Sequence, residues 1–156
     1  MIQMRKPQKQ LQQPAELEDI LQRGEVLRLA LCREDQPYLV PLNYVYHAGR
    51  IYMHTGHEGY KHWFLAANPR ACFEVTVDAA AVPAPLPCKW DYRYRSVIGF
   101  GRVSVVQEEA ERQEGLAALV GRFAGPGAPE MTAEALARAC VLRLDIESMT
   151  GKANCI

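Results

Sequence analysis

The sequence predicts a mainly β protein: six antiparallel strands closed into a small barrel, with about three helices packed around it. Three observations carry this. The chain has 156 residues, 49% hydrophobic and 23% charged, the size and balance of one ordinary folded domain. Apolar residues alternate with polar ones in runs of strand length. Most of these runs are joined by short turns, which connect antiparallel neighbours, and closing such a sheet removes its edges. No internal repeat or low-complexity tract interrupts the pattern.

The elements follow in order. Residues 1–13 are rich in Gln and Lys and read as a flexible arm, leaving residues 14–156 as a single domain. Pro14 suits a first helical position, Glu16, Glu18 and Asp19 complement the helix dipole, and Gly24 supplies a stop, so a short amphipathic helix with Leu17, Ile20 and Leu21 on its apolar face is expected. Leu27, Leu29 and Leu31 mark a first strand, and Glu34-Asp35-Gln36 a polar turn. Tyr38 to Tyr46 reads as the next strand. Pro41 within it cannot donate to a ladder and marks an edge or a bulge. His47-Ala48-Gly49-Arg50 is a hairpin turn, returned by Ile51 to Thr55. A second helix covers Tyr60 to Ala67 and is ended by Asn68-Pro69. Ala71 to Asp78 is a strand, residues 79–91 a long proline- and alanine-rich loop, and Tyr92 to Val106 a long strand in which Gly99 and Gly101 predict a bulge or sharp bend. The longest helix spans Glu108 to Phe123 and a helical turn Thr132 to Ala139. Val141 to Ile146 is the last strand, followed by a tail.

Composition excludes several classes. Lys+Arg and Asp+Glu are equal at 18 each, so the net charge is zero and a nucleic-acid partner is not expected. Near-zero charge gives little protection against self-association, which suits an oligomer. No apolar run reaches the roughly 20 residues of a membrane span, and the opening MIQMRKPQKQLQQ lacks the apolar core of a secretory signal, so neither membrane nor export is expected. The five cysteines are odd in number and show no C-x-x-C spacing, against a disulfide framework or zinc ribbon; a reducing, cytoplasmic setting is expected, with Cys32, Cys72 and Cys140 as small core residues.

Two stretches carry chemistry. In His54-Thr55-Gly56-His57-Glu58-Gly59-Tyr60-Lys61 a strand ends, glycines follow and a helix begins. Free amides at such a helix start attract anions, Lys61 adds a point charge and Thr55 a hydroxyl, so the run can cradle a phosphate; it equally reads as an ordinary helix start with turn glycines. It is not a P-loop. The spacing of His54, His57 and His62 matches no standard zinc motif, and no metal is expected. In Tyr92-Arg93-Tyr94-Arg95-Ser96-Val97, arginines alternate with aromatics, so Arg93 and Arg95 share one strand face and call for a carboxylate, a phosphate or a ring, unless they are simply a solvated face. No nucleophile motif and no G-x-G-x-x-G after a strand is present, so catalysis would fall to a cofactor.

Taken together, GEVLRLAL (24–31), YLVPLNYVY (38–46), GRIYMHTGHEGYK (49–61), NPRACFEV (68–75), YRSVIGFGR (94–102) and Thr150-Gly151-Lys152 resemble the pyridoxamine 5'-phosphate oxidase-like, FMN-binding split-barrel family, nearest to its 5-nitroimidazole-resistance branch. The resemblance runs from about residue 17 to 152. It implies a six-stranded split barrel that dimerises, with FMN sites shared across the interface. Val40, Pro41, Leu42 and Asn43 would line the flavin ring. His54, Thr55, Gly56 and the residues up to Lys61 would hold the phosphate. Arg95, Ser96 and Val97 would come from the partner subunit or line the ring edge.

The implied activity is an FMN-dependent oxidoreductase that passes a hydride or electrons through flavin N5 to a small planar acceptor, such as a nitro compound, with NADH or NADPH as the electron donor and Arg95 as the charge facing reduced flavin. The alternative is a non-catalytic flavin- or heme-binding barrel. Two departures bear on substrate. Some members of the branch carry His, a residue linked to their activity, where this chain has Tyr60. The chain also ends soon after its last strand, so the vitamin B6 activity of true pyridoxamine phosphate oxidases is not expected. Trp90, in the 79–91 loop, is expected either as a stacking wall for substrate or as interface core. Lys152 matches the family without an evident role.

Overall fold

A computed structural model describes residues 4–125, 127 and 131–154. Eight strands and four helices follow in the order β1 (Gln10–Leu11), α1 (Pro14–Arg23), β2 (Val26–Arg33), β3 (Gln36–Asn43), β4 (Val45–His47), β5 (Arg50–Thr55), α2 (Tyr60–Ala67), β6 (Arg70–Val82), β7 (Asp91–Val105), α3 (Glu109–Ala124), α4 (Ala133–Arg138) and β8 (Cys140–Asn154). Every pairing is antiparallel, in the order β3-β2-β6-β7-β8-β5-β4. The strands at the two ends of this order, β3 and β4, are consecutive in the chain, separated only by Tyr44. The sheet must therefore curl until its ends meet, which makes a split barrel.

Local chemistry accounts for the sharp points of this path. Gln13 and Glu16 form a capping box at the start of α1, with Pro14 in its first turn. The β2–β3 hairpin turns through Glu34 and Asp35, both at positive φ, and the β4–β5 hairpin through Ala48 and Gly49, likewise, as two-residue turns between twisted strands require. Tyr44 is fully buried, and its hydroxyl donates to Leu21 O at 2.7 Å, which ties the crossing from β3 to β4 to the end of α1. Gly24 closes that helix in the tightest corner of the core: a methyl there would overlap the Val75 side chain and stand 2.6 Å from the Tyr44 hydroxyl.

The core has two layers. Inside the barrel, Leu27, Leu29, Phe73, Val75, Met53 and Leu144 pack with Ile20 and Leu21 of α1. Outside it, Val45, Tyr52 and Val141 pack under Leu116 and Leu119 of α3. A polar clamp sets the second layer: Glu111 of α3 accepts from both the Tyr52 hydroxyl and the Arg143 guanidinium at 3.0 Å. The Arg143 bonds hold the Glu111 carboxyl below its ordinary pKa.

Several expectations need correcting. The strands number eight, not six. The 79–91 stretch is a loop only from Pro83 to Trp90: past a register shift marked by Asp78 at positive φ, Ala80, Ala81 and Val82 pair with Arg93, Tyr92 and Asp91. The tail after Ile146 continues β8, because Glu147 is accommodated as an extra residue where Phe100 pairs with Ser148 and Gly101 with Ile146. The bulge therefore falls where the glycines of β7 predict it. The segment read as a loose arm includes a single 3-10 turn, Pro7–Lys9, and β1, which pairs Gln10 with Lys152 and Leu11 with Gly151. Tyr44 splits the strand expected from Tyr38 to Tyr46. Cys140 is buried, Cys72 is half-buried and Cys32 is exposed, since Cys32 falls on the outward face of β2.

Candidate functional site

β3 is an edge strand, paired only with β2, and its free edge looks across the split toward β5. Pro41 sits on this edge, where no ladder donor is required. The four residues expected to line a ring divide by strand alternation. Val40 and Leu42 turn inward and pack on the core; Pro41 and Asn43 turn outward. Only two of the four side chains, with the edge backbone, are therefore open to a ligand. Asn43 Nδ2 donates to Glu25 O at 3.2 Å.

The end of β5 divides in the same way. Ile51 and Met53 face the barrel interior and Tyr52 faces α3. His54 follows Tyr52 to the outer face and Thr55 follows Met53 to the inner one. The two are not side by side, so of this pair Thr55 alone shares a face with the barrel opening.

The run from Gly56 to Lys61 closes on itself ahead of α2. Gly59 caps α2 at φ +119°, a backbone that favours glycine. Its carbonyl accepts from the amides of His62 at 3.0 Å and Trp63 at 3.4 Å. His62 Nε2 stands 2.7 Å from Gly56 O and closes the loop on itself. No side chain caps this end, so the first amides of α2 point outward unclaimed. Lys61 Nζ folds back to 4.0 Å from where a Cβ on Gly59 would stand, and it makes no ion pair among the described residues. It is close enough to Cys140, the β8 partner of Thr55, to oppose the rise that burial imposes on that thiol. An uncapped helix start with an unneutralised half-buried lysine above it fits an anionic group such as a phosphate. Tyr60 beside it is 68% exposed.

β7 places the remaining candidates elsewhere. Arg95, Ser96 and Val97 pair with Ala153, Lys152 and Gly151 at one end of β8; Thr55 and His54 pair with Cys140 and Val141 at the other. Roughly 40 Å of strand separates the two ends. Val97 is fully buried and cannot touch a ligand. Arg95 is already paired with Asp19 of α1 at 2.9 Å. Within one chain these residues do not share the site with Lys61.

One feature was not anticipated from the sequence. A cavity of about 530 Å³ lies between the barrel and the α3–α4 layer, lined by Asn43, His54, Leu116, Leu119, Phe123 and Met131 among others. Its sequence signal is the stripe Leu116, Leu119, Val120 and Phe123 at i, i+3, i+4 and i+7, of which Phe123 remains 46% exposed. Among the described residues no group of three or more His, Cys, Asp and Glu could hold a metal, and no helix is long and apolar enough to cross a membrane.

A sequence profile described as pyridoxamine 5'-phosphate oxidase matches residues 13–153. An uncharacterized protein of Rhizobium meliloti is 33% identical over 60 residues; the match spans 38% of this chain and 39% of that protein. Among solved structures, a protein from Bacteroides thetaiotaomicron described as a candidate 5-nitroimidazole antibiotic resistance protein aligns with a TM-score of 0.81 at 22% identity, over 92% of this chain and 86% of that one. The FAD- and heme-binding protein of Mycobacterium smegmatis aligns with a TM-score of 0.83 at 24% identity, over 94% of this chain and 73% of that one. At these identities the two structures speak to the fold.

Proposed function

We propose that this chain, which belongs to the pyridoxamine 5'-phosphate oxidase family, is a flavin-binding oxidoreductase that holds FMN and reduces a small planar acceptor. The observation that carries the reading is Lys61, without an ion pair among the described residues, folded over the uncapped, glycine-bounded start of α2. Lys61 and the first amides of α2 would bind the phosphate. Thr55 would add a hydroxyl from the inner face of β5. Pro41, Asn43 and the edge backbone of β3 would orient the ring. Bound flavin would supply the redox chemistry, with NADH or NADPH as the electron donor.

The working unit in this reading is a homodimer. Arg95 and Ser96 pair at the end of β8 opposite to the end that pairs with Thr55, which supports a contact of theirs with the flavin made across an interface. Four cysteines, Cys32, Cys72, Cys88 and Cys140, are free thiols, which supports a reducing, cytoplasmic setting.

The spectrum of the purified protein, with the released cofactor identified by mass, tests the cofactor. FMN is the expected product. FAD or a Soret band would favour the second reading, a flavin- or heme-binding barrel like its Mycobacterium smegmatis structural relative. Lys61→Ala should weaken FMN binding by about 1.5–3 kcal/mol, roughly ten- to a hundredfold. Unchanged flavin occupancy on dilution would remove the phosphate assignment.

A further inference from the structure

The cavity under α3 and α4 meets the proposed flavin site at Asn43, which lines it from the end of β3, while His54 lines it from the outer face of β5. Its other walls are apolar: Leu116, Leu119 and Phe123 from α3, and Met131 and Ala139 flanking α4. None of the described lining residues is a lysine or an arginine. The connection Gly125–Thr132 contains no lysine or arginine in its sequence either. Of the polar groups, Asn43 gives one N–H to Glu25 O, which leaves its second N–H and its carbonyl oxygen, and the His54 side chain makes no hydrogen bond among the described residues. A volume of about 530 Å³ is within the ordinary range for a small-molecule pocket.

We infer that this cavity is the acceptor subsite and that it takes an uncharged, largely apolar ring compound with one polar substituent directed at His54 and Asn43, and excludes phosphorylated substrates of the kind for which the family is named. The inference rests on the flavin reading for the word acceptor; the ligand class follows from the walls alone. A phosphate in this cavity would leave water for leucine, phenylalanine and methionine side chains with no lysine or arginine among the described lining residues to meet it, only the His54 imidazole and the Asn43 amide, and burying a poorly paired charge is among the costliest changes available. Lys61 does not line the cavity. An apolar ring gains the burial, and a single hydroxyl, nitro or carbonyl group finds the imidazole and the amide oxygen or a water held by them.

The test is a matched pair of probes, 2-naphthol and 2-naphthyl phosphate, titrated into the purified protein with whatever flavin it carries. Binding is followed by NMR of the labelled methionine methyls, with the Met131 signal assigned by Met131→Leu. The expected result is a saturable shift of Met131 by naphthol and at least tenfold weaker binding of the phosphate. Filling the cavity with Val120→Trp should weaken naphthol at least tenfold without changing flavin content. Naphthyl phosphate binding at Met131 as tightly as naphthol overturns the inference. So does a Met131 signal that neither probe moves. If Val120→Trp does not fold, the wild-type pair decides alone. A protein that holds no flavin defeats the proposed function but leaves the probe comparison readable, so the two failures are distinct.

Discussion

α1 and α3 both cover the barrel, yet they are attached in different ways. α1 is built into the interior. Ile20 and Leu21 are fully buried, the Leu21 carbonyl accepts from Tyr44, and Gly24 leaves no room for a methyl. α3 rests on a thinner layer, is docked by the charged clamp at Glu111, and roofs a cavity. The difference assigns roles. A helix with no free volume holds the fold, whereas one that spans free volume can adjust to a ligand.

Paired truncations test this most strongly. Leu21→Ala should cost about 3–5 kcal/mol in urea unfolding, because its neighbours cannot collapse. Leu119→Ala, although nearly as buried, should cost about 2 kcal/mol less, because part of its surroundings is already open. Equal losses would break the contrast. Next in size, Tyr44→Phe should cost about 1–3 kcal/mol by leaving the buried Leu21 carbonyl without its donor. That substitution has a pH signature too. Burial raises the Tyr44 pKa well above its ordinary value. The folded chain therefore keeps a proton that the unfolded chain loses near pH 10, and wild-type stability should fall above that pH. Tyr44→Phe should show a shallower alkaline decline in a Tm series.

The smallest effect belongs to the clamp. Glu111→Gln should cost about 1 kcal/mol at neutral pH, as a partly exposed bidentate pair. Because the native pKa of Glu111 is depressed, its contribution is complete above the ordinary carboxylate range and is lost as pH falls through the lowered native value. Mutant and wild type should therefore converge in acid. A gap that persists there would assign the clamp to packing rather than charge.

What could be read beforehand sorts by the range of the forces involved. Pro14, Gly24, Gly49 and Asn68-Pro69 punctuate the chain through their own backbone preferences, and the helices and hairpins they bound stand where the sequence puts them. Ala79 to Ala81 lack the branched side chains that advertise a strand, and only β7 alongside makes them one. β1 is two residues long and exists because β8 passes by. The candidate site shows the same limit. Lys61 and Gly59 are local and are found together, and the alternation that separates Val40 from Pro41 and His54 from Thr55 was legible in the strands. The distance between Arg95 and Lys61 was not, because it depends on the register of β7 and β8 over fifteen residues and a bulge. The cavity needs α3 set at a definite height above β5, which no pattern within α3 encodes.

β8 has a consequence in time. It pairs with β7 along one edge and with β5 and β1 along the other, so it is the strand that joins β5 and β4 to the rest of the sheet, and it follows every other described strand in the chain. A ribosome delivers Val26 of β2 more than a hundred residues before Cys140, an interval on the order of ten seconds at ordinary elongation rates. β1 emerges before that interval and β5 and then β7 within it, and each keeps an open edge until β8 arrives to pair with it.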